Sequence, residues 1–285
     1  MITKSSNIAV VGLGVLGGSY VQGLSEAGYT HLTGIDINED SLRYAREKGW
    51  VERVSTDGKV ISDCDLVICC LYPGVFSDWV MDNHEYFRPG SLLSDVTGVK
   101  RAVISGINAL LDGKAEFISC HPMAGREFKG IHYADAGRFQ KANFLIVPQE
   151  DNTPEAIEAM QRLAIDLKFR TITCLSPEEH DRMISFLSQL THIIAVSLMN
   201  ANDNTHLAKY TGDSFRDLTR IARINEDMWP ELFILNKDYL MQDIDDFIGE
   251  MQEFRRLIDE EDVDGMKQKM IQSTNRRAYF DKESE

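Results

Sequence analysis

With 285 residues the chain is long enough for about two domains. Hydrophobic residues make up 43% and charged residues 26%, an ordinary globular balance that excludes a disordered or fibrous chain. The net charge of −15 excludes a nucleic-acid partner held by counterion release, and any anionic ligand must therefore sit in a local basic pocket.

The N-terminus, Met1-Ile2-Thr3-Lys4, runs almost directly into an apolar stretch, Ile8–Val11, that reads as a first strand. It lacks the basic, long apolar and small-residue regions of a signal peptide, and none is expected. Gly12-Leu13-Gly14-Val15-Leu16-Gly17-Gly18 follows, a Gly-x-Gly-x-x-Gly pattern that opens a helix over Val15–Ala27. In that setting Gly12 permits the tight turn, Gly14 lets the backbone approach a pyrophosphate, and Gly17 lets helix and strand pack closely. The helix N-terminus offers N–H groups and a positive partial charge to phosphates. A second strand, Leu32–Asp36, ends on a carboxylate placed to accept hydrogen bonds from ribose hydroxyls. A carboxylate there repels a 2′-phosphate, so the expected cofactor is NAD rather than NADP.

Further strands are expected at Leu66–Leu71, Ser91–Asp95, Glu116–Cys120, Asn143–Val147 and Thr171–Leu175. Between most of them the apolar spacing turns helical, as at Ser41–Lys48, Val99–Leu111 and Pro154–Leu167. Such alternation builds βαβ units, so residues 1–175 read as an α/β Rossmann domain with a doubly wound, mainly parallel sheet. His121 directly follows the strand Glu116–Cys120, at the carboxyl end where open α/β sheets bind ligands. The five cysteines show neither Cys-x-x-Cys spacing nor a His partner, which points to reduced thiols, no metal and the cytoplasm.

After Leu175 no strand pattern continues. Ser176-Pro177-Glu178-Glu179 reads as a capped helix start, followed by an apolar helix through Phe186, Leu190, Ile194 and Leu198. Ser185, Ser188, Gln189, Thr191 and His192 interrupt its apolar window, so no membrane span is expected. Pro230 opens a further amphipathic stretch, with Tyr239, Ile244, Phe247, Met251, Phe254 and Ile258 at helical spacing. The acidic run Glu260–Asp264 reads as a solvated turn between helices. Residues 176–285 thus form an all-α C-terminal domain. Its apolar positions exceed what one small helical domain covers, which predicts a homodimer through these helices.

The segment His121-Pro122-Met123-Ala124-Gly125-Arg126-Glu127 with Gly130 resembles the signature of the prephenate and arogenate dehydrogenases. So do, in order, Gly12–Ser19, Asp95-Val96-Thr97-Gly98-Val99-Lys100, His180-Asp181 with Ser188 and His192, Phe215–Arg220, and Met228-Trp229. The resemblance implies a Rossmann domain plus a helical domain that dimerises, and NAD-dependent oxidation of prephenate to 4-hydroxyphenylpyruvate in tyrosine biosynthesis. It makes His121 the catalytic histidine at the ring hydroxyl and Arg220 the arginine that binds a substrate carboxylate. Glu127, Thr97, Ser188, His192, Asp217 and Trp229 complete the implied substrate site. Gly12, Leu13, Gly14, Val15, Leu16, Gly17, Asp36, Tyr72 and Thr97 make up the cofactor set.

Two positions depart from the pattern. Gly98 stands where the family often has Ser, with the Thr97 hydroxyl or a water as the expected substitute. Gln189 stands where it commonly has an inner His. The chemistry requires a group that takes the C4 hydroxyl proton as hydride leaves, a duty for neutral imidazole with a pKa near 7. It also requires a cation for the side-chain carboxylate, which Arg220 supplies. The alternatives are an arogenate dehydrogenase, a β-hydroxyacid dehydrogenase, which lacks the His121 segment, and a dinucleotide-binding redox sensor, which needs no convergent His and Arg.

Overall fold

Every residue of β1 (Ile8–Val11) is buried, as a central strand covered on both faces requires. In the computed structural model, which describes residues 2–125 and 128–280, β1 lies inside a six-stranded parallel sheet. The other strands are β2 (Leu32–Ile35), β3 (Arg53–Ser55), β4 (Leu66–Cys69), β5 (Ser91–Asp95) and β6 (Ala115–Phe117), in the order β3-β2-β1-β4-β5-β6. This is the Rossmann order, with the crevice at the switch between β1 and β4. The register sets Val11 beside Ile35 and Cys69, and Cys69 beside Asp95. The loops that begin at Gly12, Asp36, Cys70 and Val96 therefore leave from one edge.

Side chains of β1 alternate between two cores. Ile8 and Val10 join Tyr20 and Leu24 of α1 (Val15–Glu26) and Leu42 and Ala45 of α2 (Glu39–Glu47). Ala9 and Val11 join Phe76 and Val80 of α3 (Pro73–Asn83) and Val103 and Ile107 of α4 (Arg101–Leu111). The sheet is doubly wound, as the alternation of strands and helices implied.

The expected strand Glu116–Cys120 is in fact two. β6 ends at Phe117, and β7 (Ser119–Pro122) belongs to a second sheet with β8 (Asn143–Val147) and β9 (Thr171–Cys174), in the order β7-β8-β9. β7 runs antiparallel to β8, with His121 opposite Leu145. His121 is therefore inside a strand of the second sheet rather than beyond a strand of the first. One apolar run does not reveal that its halves pair with different neighbours. β3 escaped the sequence reading because it is three residues long and partly exposed, with no apolar run.

Among the described residues no strand follows Cys174. Ser176 and Glu179 form the expected capping box at the start of α6 (Pro177–Ile184). A π-helical turn, Ser185–Leu190, joins α6 to α7 (Thr191–Asn200) without a break. The continuous helix Pro177–Asn200 is long and apolar enough to cross a membrane, so the interrupting polar residues do not by themselves exclude a span. His180, Asp181, Ser185 and Gln189 of this helix are buried inside the protein. Helices α8 (Asp213–Thr219) and α9 (Met228–Leu235) follow.

The chain divides into two compact units, Met1–Lys237 and Asp238–Glu285. The second contains most of α10 (Lys237–Asp259) and all of α11 (Val263–Arg277). Its acidic turn caps α11 through Asp262, whose carboxylate accepts the Gly265 N–H at 2.9 Å. Lys269 and Glu250 bridge the two helices at 2.8 Å. Of its apolar side chains among the described residues only Leu240 and Leu257 are buried, while Met241, Ile248, Met251, Ile258, Met270 and Ile271 are exposed.

Candidate active site

The glycine loop is shaped by contacts that leave no room for side chains. Gly12 has φ +84°, and a Cβ there would lie 2.7 Å from the Cys70 carbonyl oxygen. A Cβ on Gly17 would lie 1.9 Å from the Gly12 carbonyl oxygen, so helix and turn touch backbone to backbone. At Gly14 a Cβ would meet nothing within 4 Å, and no side chain caps α1. An uncapped helix start beside open backbone is what a pyrophosphate needs. Leu13 is fully buried and faces the core, so it contributes backbone only, while Val15 and Leu16 are half-buried at the first turn.

Asp36 accepts the Leu13 N–H at 2.5 Å on one oxygen and the Asn38 N–H at 2.8 Å on the other. It thereby ties the end of β2 to the glycine loop, and its half-exposed carboxylate keeps lone pairs for a ribose. These features fit an NAD. Tyr72, at the N-terminus of α3, is exposed and its hydroxyl accepts from Asn225 Nδ2 at 2.7 Å.

Beyond β5 lies a buried polar hub. Lys100 and Asp95 form an ion pair at 2.9 Å with both side chains at 0% exposure. Asp95 also accepts the Thr97 N–H at 2.8 Å and the hydroxyls of Thr97 and Ser119. Lys100 Nζ donates to the Cys120 carbonyl at 2.7 Å, which fixes the backbone of β7 one residue before His121. A lone charge at this depth would be costly, and the pair survives because each member is further hydrogen-bonded.

This geometry corrects the reading of Thr97. Its side chain is 3% exposed, and its hydroxyl is engaged with Asp95 and with the Val99 carbonyl at 2.9 Å. It faces the hub and does not replace the hydroxyl absent at Gly98. A Cβ at Gly98 would approach the Leu232 side chain to 3.3 Å, so α9 occupies the space beside it.

His121 is half-buried. Its Nδ1 lies 2.9 Å from His180 Nε2, and His180 Nδ1 lies 2.8 Å from Asp181 Oδ1. The Asp181 carboxylate accepts the backbone N–H groups of Lys100 and Arg101 at 2.8 and 2.9 Å, at the start of α4. Burial, then the neighbouring His180 and Lys100, hold the His121 imidazole well below its ordinary value near 6.5. The imidazole is thus neutral through a wider range than the expected pKa near 7 implied. His180 is also lowered by burial, against the opposing pull of Asp181. Burial alone would raise Asp181, but the hydrogen bonds from His180, Arg101 and Lys100 outweigh it and hold the carboxyl low.

Gln189 continues the network. Its Nε2 donates to the Leu232 carbonyl at 2.9 Å and its Oε1 accepts from Asn236 Nδ2 at 2.9 Å. Asn236 Nδ2 also donates to the Asp181 carbonyl at 2.9 Å. Gln189 thus braces α9 against the helix that carries His180.

The remaining expected residues are less buried. His192 packs against Trp229 with ring centroids 3.9 Å apart and the rings tilted by 33°, and it donates from Nδ1 to the Ser188 carbonyl at 2.8 Å. Ser188 is half-buried, and Asp217 and Arg220 are exposed at the end of α8, beside α7. Glu127 lies outside the described residues. Arg101, Ser119 and Asn236 had no part in the sequence reading, and Asp95, Lys100, His180 and Asp181 appeared only within motifs. The signal was present in the quoted segments, but spacing does not show that residues 59 or 81 positions apart meet.

The sequence model described as "Prephenate dehydrogenase, nucleotide-binding domain" matches residues 22–173, and "Prephenate dehydrogenase, dimerization domain" matches residues 176–272. The chain is 26% identical to a prephenate dehydrogenase of Bacillus subtilis, across 93% of this chain and 74% of that protein. It is 24% identical to a cyclohexadienyl dehydrogenase of Zymomonas mobilis, across 92% of each. The fold matches prephenate dehydrogenase from A. aeolicus, solved with hydroxyphenyl propionate and NAD+, with a TM-score of 0.90 at 24% identity over 99% of this chain and 100% of that one. It also matches Synechocystis arogenate dehydrogenase, with a TM-score of 0.83 at 22% identity over 96% and 100% of the two chains. With both halves matched in sequence and the fold shared throughout, the chain belongs to the prephenate dehydrogenase family.

Proposed function

We propose that this protein oxidises and decarboxylates prephenate to 4-hydroxyphenylpyruvate with NAD, and that His121 is the base. The observation that carries the reading is the His121 imidazole, held neutral by burial and by His180 and Lys100, with one ring nitrogen engaged and the ring still half-open. When bound at the glycine loop and Asp36, NAD supplies the hydride acceptor. His121 takes the proton of the C4 hydroxyl as the C4–H bonding pair departs as hydride. The bond from C1 to the carboxylate then breaks, its electron pair enters the ring, and carbon dioxide leaves. The ring oxygen at C4 takes the proton back from His121. No net proton is released, so the histidine finishes the cycle neutral.

Arg220 supplies the cation for the side-chain carboxylate in this reading, and it meets the need for a local positive group on a chain of net charge −15. Replacing Arg220 by Ala is expected to raise KM for the substrate roughly 10- to 100-fold, the loss of a charge-assisted hydrogen bond. An unchanged KM would return Arg220 to a surface role.

Residues 176–285 form the substrate-binding and dimerisation part in this proposal, and residues 1–175 the NAD-binding part. The exposed apolar side chains of α10 and α11, together with the matched dimerization domain, support a homodimer. Five unpaired thiols support a cytoplasmic setting. The deciding assay is NADH formation with prephenate and with arogenate side by side. Turnover of prephenate supports the reading, turnover of arogenate alone moves the substrate to its aminated relative, and turnover of neither overturns it.

A further inference from the structure

Resting on that reading, we infer that His180 and Asp181 are positioning residues that fix which nitrogen of His121 is the base. Asp181 is a carboxylate with both oxygens accepting, from His180 and from the N–H groups of Lys100 and Arg101. An ionised carboxylate only accepts, so the His180 nitrogen facing it, Nδ1, carries the proton. In neutral His180 the other nitrogen, Nε2, is then bare and accepts. The group 2.9 Å away, His121 Nδ1, must therefore donate. That leaves the lone pair of neutral His121 on Nε2, which no hydrogen bond reaches among the described residues. The chain Asp181–His180–His121 transmits a single direction of donation from a fully buried carboxylate to the half-open ring.

The same chain serves the charged intermediate. When His121 Nε2 takes the substrate proton, the resulting imidazolium still donates from Nδ1 to His180. His180 is in turn polarised by the anion beyond it. A base whose second nitrogen is already directed needs no reorientation at the moment of proton transfer. The charged and titratable groups around this chain are Lys100 and Asp95 from the hub, His180 and Asp181 from α6, and Arg101, whose Nε lies 3.4 Å from Asp181. The anchor is insulated. Asp181 is fully buried, and the N–H groups at the start of α4 hold it in place independently of His180.

The test uses the full chain labelled with nitrogen-15 in histidine, with the His121 signals assigned from their loss in His121→Asn. The expected spectrum at neutral pH shows His121 protonated on Nδ1 and bare on Nε2. The opposite tautomer overturns the inference whatever the activity of the enzyme, and this measurement needs no variant at position 180. The kinetic arm compares His180→Phe, which has no acceptor, with His180→Gln, whose amide oxygen accepts at the place of Nε2. His180→Phe is expected to lower kcat about 100-fold while KM for substrate changes less than about threefold, and His180→Gln is expected to recover roughly tenfold. Equal losses in the two variants, or none in His180→Phe, overturn the positioning role. If neither prephenate nor arogenate is turned over, the functional reading falls while the spectrum still decides the tautomer.

Discussion

The glycine loop and the polar hub stand at the same edge of one sheet, yet they are built on different principles. The loop is almost entirely backbone, and its work is done by the absence of side chains at Gly12, Gly14 and Gly17 and by one carboxylate, Asp36. The hub is almost entirely side chain. Asp95, Lys100, Ser119, His121, His180 and Asp181 meet from three separate segments of the chain. A backbone cradle tolerates change around it, because geometry fixed by packing survives most substitutions. A connected set of buried polar groups fails at whichever member is removed, because a neighbour is left unsatisfied. The two regions should therefore break differently.

The largest effect is expected at the open end of the hub. His121→Asn keeps a polar group of similar reach but cannot take a proton, and kcat should fall roughly 10²- to 10⁴-fold with little change in KM. Near-normal turnover in that variant would place the base elsewhere. NAD binding, followed by fluorescence quenching, should survive, because the loop and Asp36 are untouched.

The next effect concerns folding. Lys100→Met leaves the Asp95 carboxylate fully buried without its cation, and stability should drop by about 3–5 kcal/mol in urea unfolding. The same substitution frees the Cys120 carbonyl and should loosen β7, so activity is expected to fall as well. A loss below about 1 kcal/mol would show that the hydrogen bonds from Thr97 and Ser119 hold Asp95 unaided.

The same contrast explains what the sequence made legible. The loop could be read because its chemistry lies within one strand–turn–helix of local spacing, with Asp36 one strand later. The strand ranges Ser91–Asp95 and Asn143–Val147 were likewise local apolar runs with clear ends. The split at Ile118 and the tautomer chain depend on which distant segment each residue meets. The apolar run through Glu116–Cys120 carries no mark of the change of sheet. Thr97 shows the limit most plainly, since its place beside Gly98 was evident but the direction of its hydroxyl was not.

A smaller effect sharpens the cradle half of the comparison. With Asp36 as the carboxylate that meets the ribose in the proposed site, NAD is expected to be preferred over NADP by at least about tenfold in kcat/KM, near 1.4 kcal/mol. Asp36→Ala should narrow that ratio. It should also weaken NAD itself, because the carboxylate anchors the Leu13 N–H at 2.5 Å and its loss loosens the loop. Equal use of both cofactors by the unaltered enzyme would mean that Asp36 serves only as that anchor.

The least dramatic change should come from pH, and it separates the two regions most cleanly. His121 and His180 are both held below the ordinary imidazole value, mainly by burial. The unfolded chain therefore binds protons near pH 6.5 that the folded chain refuses. Protonation then favours unfolding, so stability is complete above about pH 6.5 and declines as pH falls from there toward the lowered folded values. Asp181 works in a lower window. Its folded value is depressed, so its contribution persists above the ordinary carboxyl range near 3.8 and is lost only as pH falls through it. Between pH 7 and pH 5 the slope should carry the mark of these two histidines. Urea unfolding across that range should show stability falling with acid in the unaltered protein and a flatter dependence in His121→Asn, which has one fewer refusing group. Substitution at Asp36, which bonds to Leu13 and Asn38 and to neither histidine, should leave the slope unchanged. If His121→Asn keeps the full slope, the imidazole is not being held neutral by the hub, and the account of it as a preset base fails with that result.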